Sequence, residues 1–442
     1  MMKESFLRHF LSITDPRQEG KVYHPLMSIF FIAIAGYIAN CDEWENIIDW
    51  AEHNIAWLKL FVDLPFGIPS ESTFYRVFRL IKPIEFERRF IGWTQELVAR
   101  HNSRSIAIDG KTLCGAKESD GEQSLFHIVS AWASDCGLTL GFLKTDEKSN
   151  EITAIPQLLE LLSIEGNVVT IDAMGAQTKI VEQIVNEKKA DYVLNLKSNQ
   201  PSMYNDTVLF FTGVDNVCAK ETDNSPDGIK AEKSDINAEN NIKAAAGSII
   251  QCYSGKEPEI SMQAKFKDAI SPPVFFEYDC QFHKTKEVGH GRIEQRYYFL
   301  VPEVSWLSRH EEWVSLKSVG MVISDVEKKK SGAKSLDCRF YLSSIMDVKE
   351  FANSVRNHWG CESAHWTLDF TFSEDKDLTH TEYSPENTAM FRRIARNLLK
   401  IEIDEFKKNN PKKKLSYQAL RFRASIDVNV LEKIMIGNLP KG

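Results

Sequence analysis

The sequence lacks the short motifs of the commoner nucleotide-dependent and nucleophile-dependent enzymes. It has no Gly-x-Ser-x-Gly elbow, no P-loop and no Gly-x-Gly-x-x-Gly followed by an acidic residue. Serine hydrolases, P-loop NTPases and dinucleotide-dependent dehydrogenases are therefore set aside. Cysteine is sparse, with 8 in 442 residues and none in a CxxC pair. That excludes a zinc ribbon and a thioredoxin-like redox motif, and reduced thiols in a cytoplasmic protein are expected. The first residues, MMKESFLRHF, carry no signal-peptide pattern. The apolar run Leu26 to Ala39 is shorter than the ~20 residues that span a bilayer, so it reads as a buried helix with no membrane role. Uniform positive charge is also missing. The formal net charge is −8, which excludes a nucleic-acid binder that is basic all over.

What charge there is lies unevenly. Phe391 to Arg423 holds eleven Lys or Arg and three acids, leaving the rest of the chain strongly acidic. This stretch reads either as a local cationic surface or as a solvated tail. With 43% hydrophobic and 26% charged residues over 442 positions, the chain is expected to be globular, with two or three domains.

Residues 1–100 read as an all-helical domain. Trp44, Ile47, Ile48 and Ala51 recur at helical spacing, as do Phe74, Val77, Phe78 and Ile81 after a Ser70 or Ser72 cap. Two helices joined by a tight polar turn would suit a helix-turn-helix DNA reader with Arg76 and Arg79 outward; a plain helical bundle fits equally. From residue 101 the pattern changes. RSIAID, SLFHIVSAWAS and LTLGFLKTD read as strands, the last two joined at Asp135-Cys136-Gly137. A helix capped at Thr153 follows, then the strand GNVVTID, a helix over TKIVEQIVNEKK and the strand ADYVLNLKS. Three strands followed by helix, strand, helix, strand predict an α/β fold, a mixed sheet flanked by helices in the ribonuclease-H-like order. Residues 213–290 interrupt it as a polar insertion, residues 101–405 close the domain, and 406–442 form a basic C-terminal segment.

Three acidic segments carry the chemistry: IAIDGK with Asp109, VTIDAMG with Asp172, and HWGCESAHWTLD with Glu362. Both aspartates end apolar, strand-like runs, so their carboxylates are expected at a sheet edge facing a shared cleft. Asp109-Gly110 also has the form of a hairpin turn. His358, Glu362, His365 and Asp369 share one face of a helix flanked by Trp359 and Trp366. That face could be solvated, could supply a His/Glu metal site, or could bring one carboxylate to the two aspartates. Three carboxylates suit Mg²⁺, a hard ion that takes oxygen ligands, and a pair of such ions supports phosphodiester displacement. Gly289 to Arg296, GHGRIEQR, could approach a phosphate backbone and also reads as a turn before a strand.

At these residues the chain resembles the H-repeat-associated transposases of bacterial insertion sequences, within the DDE superfamily with its ribonuclease-H-like core. The matching segments include AIDGKTL, HIVSAWAS, KSNEITAIPQLL, VTIDAMGAQ, DYVLNLKSNQ, GHGRIEQRYY, RFYLSSI, HWGCESAHWTLDFTFSED and PENTAMFRRIARNLLK, over roughly residues 10 to 400. DPR, CDEWENI and GIPSESTFYRVF look like that family's amino-terminal domain. The resemblance implies cleavage at transposon ends and attack of the freed 3′-hydroxyl on target DNA. It places Asp109, Asp172 and Glu362 as catalytic residues and ligands of two Mg²⁺ ions, with Mn²⁺ as a substitute. It also implies double-stranded DNA as partner (terminal inverted repeats and target), a dimer in the DNA complex, and a cytoplasmic protein that joins the nucleoid when bound to DNA. Arg76, Arg79, Lys111, Arg292, Arg392 and Arg393 are the expected DNA contacts. Some positions depart from the pattern. Val355, His358 and Asp369 stand where the wider superfamily has Tyr, Arg and Lys around the glutamate. Cys114 stands for arginine, Ala176 for cysteine, and Leu378 and His380 for basic residues. A repurposed DNA-binding descendant of the same fold and another metal-dependent nuclease are the alternatives.

Overall fold

The computed structural model of the chain describes residues 8–10, 12–99, 103–113, 126–145, 151–214, 228–253, 273–289, 291–377, 379 and 381–437. Cys114, Leu378, His380 and much of the polar stretch at 215–227 and 254–272 lie outside the described residues. In chain order the helices and strands are α1 (Leu26–Ile38), α2 (Trp44–His53), α3 (Ile55–Leu58), α4 (Glu71–Leu80), α5 (Pro83–Ala99), β1 (Ser105–Leu113), β2 (Phe126–Ala133), β3 (Leu138–Thr145) and α6 (Glu151–Leu161). Then come β4 (Val168–Ile171), α7 (Thr178–Glu182), β5 (Asp191–Leu196), α8 (Pro201–Thr212), α9 (Gly228–Tyr253), β6 (Gln281–Gly289), β7 (Arg292–Val301), β8 (Ser318–Lys328) and β9 (Lys334–Ser343). The last helices are α10 (Val348–His358), α11 (Gly360–Thr371), α12 (Ser384–Asn409), α13 (Tyr417–Ile426) and α14 (Val428–Ile436). The strand and helix sequence from β1 to β5 is the one read from the pattern, and the chain has the α/β, ribonuclease-H-like fold class expected of it.

Compactness does not follow chain order. Met1–Ser163 and Trp359–Gly442 form one unit, and Ile164–His358 form the other. In the first unit the strands run β3-β2-β1, antiparallel throughout, with Asp109 opposite Ser130. The helices around them share an aromatic core. Phe391 of α12 packs on Phe30 of α1 at 5.1 Å, Phe78 of α4 at 4.6 Å and Phe86 of α5 at 5.1 Å between ring centroids. These contacts explain the apolar spacing read in residues 26–81. Phe74, Val77, Phe78 and Ile81 are all buried, as are Trp44, Ile47 and Ala51, while Ile48 is half-buried. Residues 59–70 separate α3 from α4, far more than the three or four residues of a helix-turn-helix turn. The tight-turn expectation is corrected accordingly, and the helices form a bundle around α12.

From Ser384 to Leu399, α12 is buried on every side, so its polar side chains need internal partners. Asn387 donates to the Phe78 and Ile81 carbonyls, at 2.7 and 3.0 Å, closing the end of α4. Asn397 accepts from the Thr139 N–H at 3.0 Å and donates to the Thr139 carbonyl at 2.9 Å, extending the β3 edge. Helix α6 starts at Glu151 and carries Pro156 within it, so Thr153 is a residue of the helix and not its cap.

The second unit orders its strands β4-β5-β9-β8-β7-β6, with β4 and β5 parallel and the rest antiparallel. Phe351 and Val355 of α10 pack onto Val168, Val193, Tyr298, Val322 and Tyr341. Part of the stretch read as a polar insertion is regular structure. Helix α9 buries Ile242, Ala246 and Ile249 at helical spacing, a stripe that polar neighbours hide in the composition, and β6 is the edge strand.

Glu87 of α5 fastens the helices to the first unit's strands by accepting the Phe142 N–H of β3 at 2.6 Å. Burial pushes its carboxyl up to about 8, against the lowering effects of that hydrogen bond and of Arg393. Between the ordinary carboxyl range and about pH 8 the folded chain holds a proton that the unfolded chain has lost. Stability therefore falls as pH rises through that window. Glu87→Gln keeps the acceptor and removes the titration. By scanning calorimetry, its melting temperature should drop less than that of the parent between about pH 5 and about pH 8.

Candidate functional site

Asp109 lies in the middle of β1, not at its end, because the strand continues through Leu113 in register with β2. This rules out the hairpin-turn reading of Asp109-Gly110. The glycine has a different cause. Behind it, the buried His127 and Glu151 are in contact at 2.5 Å, and a Cβ on Gly110 would come within 2.6 Å of His127 Nε2. Thr112 Oγ1 sits 3.0 Å from His127 Nδ1 and fixes the ring from the other side. The DGK sequence thus reflects close packing of a buried polar pair on the strand.

On a strand, Asp109 and Lys111 point to the same face. Helix α11 covers that face, with Ala107, Trp132, Cys361 and Ala364 forming the apolar contact. Its inward stripe is Cys361, His365 and Asp369, one per helical turn. The Cys361 thiol donates to Asp109 Oδ2 at 3.5 Å, and His365 Nδ1 lies 3.6 Å from the same oxygen. Burial, reinforced by Arg393 and Lys111, pushes the His365 imidazole down to about 3, so it stays neutral and brings no positive charge to Asp109. Lys111 pairs with Asp369 and, at 2.7 Å, with Glu374. Arg393 of α12 holds the other Glu374 oxygen at 2.5 Å. Burial alone would raise the Glu374 carboxyl, but Arg393 and Lys111 outweigh it and hold it down at about 2. Glu362 is exposed on α11, as are Trp366 and Phe370, whose rings stack at 4.8 Å.

The expected single helical face of His358, Glu362, His365 and Asp369 is corrected here. The helix breaks at Trp359, leaving His358 at the end of α10 in the second unit. His358 Nδ1 is 2.9 Å from Thr170 Oγ1 on β4, and burial, with Arg339, pushes its ring down to about 4. The i, i+4, i+7 register that would align His358, Glu362 and His365 on one helix is therefore interrupted.

Asp172 directly follows β4, as the pattern predicted. Its Oδ1 accepts the Met174 and Gly175 N–H groups, at 3.1 and 3.4 Å. Asn199 and Gln200 brace this loop from the end of β5, donating to the Ala173 and Ala176 carbonyls at 2.5 and 3.0 Å. Sequence reasoning gave neither amide a role. The available signal was two consecutive amides just after a strand parallel to the one bearing Asp172.

Three of the expected DNA contacts are internal. Lys111, Arg392 and Arg393 are buried, and carboxylates of the protein itself occupy them: Asp369 and Glu374, Asp377, and Glu374 respectively. A buried cation is retained only when paired, so these three side chains serve the fold, while Lys407, Lys408, Lys412, Lys413, Lys414 and Arg423 of the same basic stretch are exposed. Arg76 and Arg79 are exposed on α4, with Arg79 3.5 Å from Glu382. Both line a cleft of about 940 Å³ whose walls also carry Glu43, Glu45, Glu71 and Asp377. Arg292 is exposed at the start of β7.

Residues 100–398 match the family described as Transposase DDE domain. The chain belongs to the DDE transposase family. Residues 7–94 match the companion segment described as DDE_Tnp_1-associated. Among similar proteins, "Putative transposase YncI" of Escherichia coli O157:H7 is 33% identical, covering 90% of this chain and 88% of its own length. "H repeat-associated putative transposase YhhI" of Escherichia coli K12 is 29% identical over 99% of both chains. A piggyBac transposase synaptic complex with hairpin DNA aligns to 98% of this chain and 77% of its own, at 9% identity and a TM-score of 0.38, too loose a likeness to carry detail.

Two variants probe the packing beneath the acids. Gly110→Ala drives a methyl group into His127 and Glu151 and should cost about 1–3 kcal/mol in urea unfolding. Glu374→Gln leaves Lys111 and Arg393 without their shared counter-charge and should cost about 3–5 kcal/mol by the same measurement.

Proposed function

We propose that the chain is a DNA transposase that cuts at transposon ends and joins the freed strand to target DNA, with Asp109, Asp172 and Glu362 as its catalytic carboxylates. The observation that carries this reading is the packing of α11 on β1. It holds the Glu362 helix directly against the Asp109 strand, with His365 of that helix 3.6 Å from the Asp109 carboxylate. Hard carboxylate oxygens suit Mg²⁺, or Mn²⁺ in its place, better than any thiol-preferring metal. Bound there, the ions would neutralise charge on the phosphate during in-line displacement.

The chain's own residues have separable roles in this proposal. The Cys361, His365 and Asp369 stripe orients α11, and with it Glu362. The Met174 and Gly175 N–H groups orient Asp172. Arg76, Arg79 and Arg292 are the exposed cations proposed to meet DNA, with residues 1–100 binding the ends and residues 101–405 carrying the chemistry. Pairing two ends calls for a dimer in the DNA complex, acting in the cytoplasm at the nucleoid. Asp109 and Glu362 belong to one unit and Asp172 to the other. Among the described residues, no three His, Cys, Asp or Glu side chains are gathered as a metal site.

The test uses duplexes carrying the DNA that flanks the gene, with Mg²⁺ present. Strand cleavage at defined ends, abolished by chelation, is the expected result. Asp109→Asn, Asp172→Asn and Glu362→Gln should each lower its rate at least about 100-fold while leaving DNA binding in place. Full cleavage by Asp172→Asn overturns the site assignment. Cutting without regard to ends would mark a general nuclease, and binding without cutting a repurposed descendant.

A further inference from the structure

The second unit carries a basic projection in which Arg292 is joined by Lys328, Lys329 and Lys330, lysines the sequence reading did not single out. Strands β8 and β9 continue well past the end of β4. Ile171, next to Asp172, aligns with Leu194 of β5, Leu194 with Leu342 of β9, and Leu342 with Val319 of β8. From Leu342 the β9 ladder runs back to Lys334, opposite Glu327. Because β9 is antiparallel to β4 and β5, this extension leaves the sheet at the same end as Asp172. At ~3.3 Å per residue, and with two or three strands of lateral offset, its tip stands about 25–30 Å from that carboxylate.

Two turns meet at the tip. The β6–β7 turn ends at Arg292, and Lys328 to Lys334 forms the β8–β9 turn. The Lys329 N–H donates to the Gly291 carbonyl at 2.8 Å and locks one turn to the other. Arg292, Lys328, Lys329, Lys330 and Lys334 are all exposed there. Arg292 and Lys334 have loose partners, Glu294 and Glu327, each at 3.8 Å. Lys328, Lys329 and Lys330 form no ion pair among the described residues. Lysines on an edge strand can serve simply to stop sheets pairing, which accounts for Lys284 and Lys286 on β6. Lys328 ends β8 and Lys329 and Lys330 sit in the turn that follows, between two inner strands, so edge protection does not explain them. On a chain of net charge −8, such a cluster of unmatched cations is suited to a polyanion.

We propose that this double turn grips the phosphate backbone of duplex DNA whose reacting phosphate lies at Asp172. The proposal rests on the transposase reading. At ~3.4 Å per base pair, the grip would fall about 7–9 base pairs from the reacting phosphate. Contacts of this kind position DNA and carry no sequence information.

The experiment measures binding of the full-length protein to end-containing and unrelated duplexes across a range of salt, with chelator present so that no cutting occurs. Lys328→Gln, Lys329→Gln and Lys330→Gln combined should weaken binding to both duplexes alike. The slope of log affinity against log salt should become shallower by about 1–3, roughly 0.9 per lost phosphate contact. The same three positions changed to Arg should keep the parent's slope, which separates charge from fold. Hydroxyl-radical footprinting should lose protection about 7–9 base pairs from the cut and nowhere else. An unchanged slope and footprint in the Gln variant overturns the grip while leaving the transposase reading intact. A parent protein that binds neither duplex overturns both.

Discussion

A single buried carboxylate, Glu374, determines how β1, α11 and α12 of the first unit stand together. It accepts Lys111 from β1 on one oxygen and Arg393 from α12 on the other. Asp369, from the helix that bears Glu362, reaches the same Lys111. Lys111, Arg393 and Glu374 thus lie buried, where an unbalanced charge is far more costly than on the surface, while Asp369 and Asp375 approach Lys111 from the partly exposed side. β1, α11 and α12 can come together only if this set assembles complete. Asp109, two residues before Lys111, takes its position from that assembly, as does the rim of α11 that carries Glu362.

Buried charge also explains why part of the site was legible in the sequence and part was not. Strand and helix order from β1 to β5 could be read because β-branched runs, an Asp-Cys-Gly turn and helical spacing each act locally. Asp172 was placed correctly for the same reason. Asp109 was assigned to a strand end because Asp-Gly usually breaks strands. Its glycine instead makes room for His127 and Glu151, which are distant in sequence, so no local pattern could reveal it. Arg392 and Arg393 looked like a basic surface because composition cannot distinguish a solvated cation from one matched to Asp377 or Glu374. The break at Trp359 was hidden because residues 348–371 keep helical spacing on both sides of it, so a 3.6-residue count runs through the interruption.

The second unit shows a division of labour between backbone and side chains. Asp172 is oriented by N–H groups of its own loop, and that loop is pinned by side-chain amides from the end of β5. Backbone donors survive every substitution except proline, and carboxamides stay neutral across the physiological pH range. The loop's shape therefore does not depend on the charge around it. In the first unit Asp109 meets a thiol and a neutral imidazole, on a strand held by the Lys111, Glu374 and Arg393 charge pairs. The two aspartates, alike in the sequence, are supported by different physics.

Helix α12 is buried from Ser384 to Leu399, in part by helices from the first hundred residues, and it comes late in the chain. Until it is made, Phe30, Phe78 and Phe86 have no Phe391 to close over, and the C-terminal carbonyls of α4 lack their Asn387 donors. Residues 164–358, by contrast, are contiguous and can mature while synthesis continues. During translation the N-terminal helices therefore wait with an open aromatic groove, and closing it demands contacts between residues more than 300 positions apart. Such long loop closures slow folding and prolong exposure of sticky surface. The yield of intact protein would then be governed by how quickly a nascent chain finishes, and little by how stable the finished molecule is.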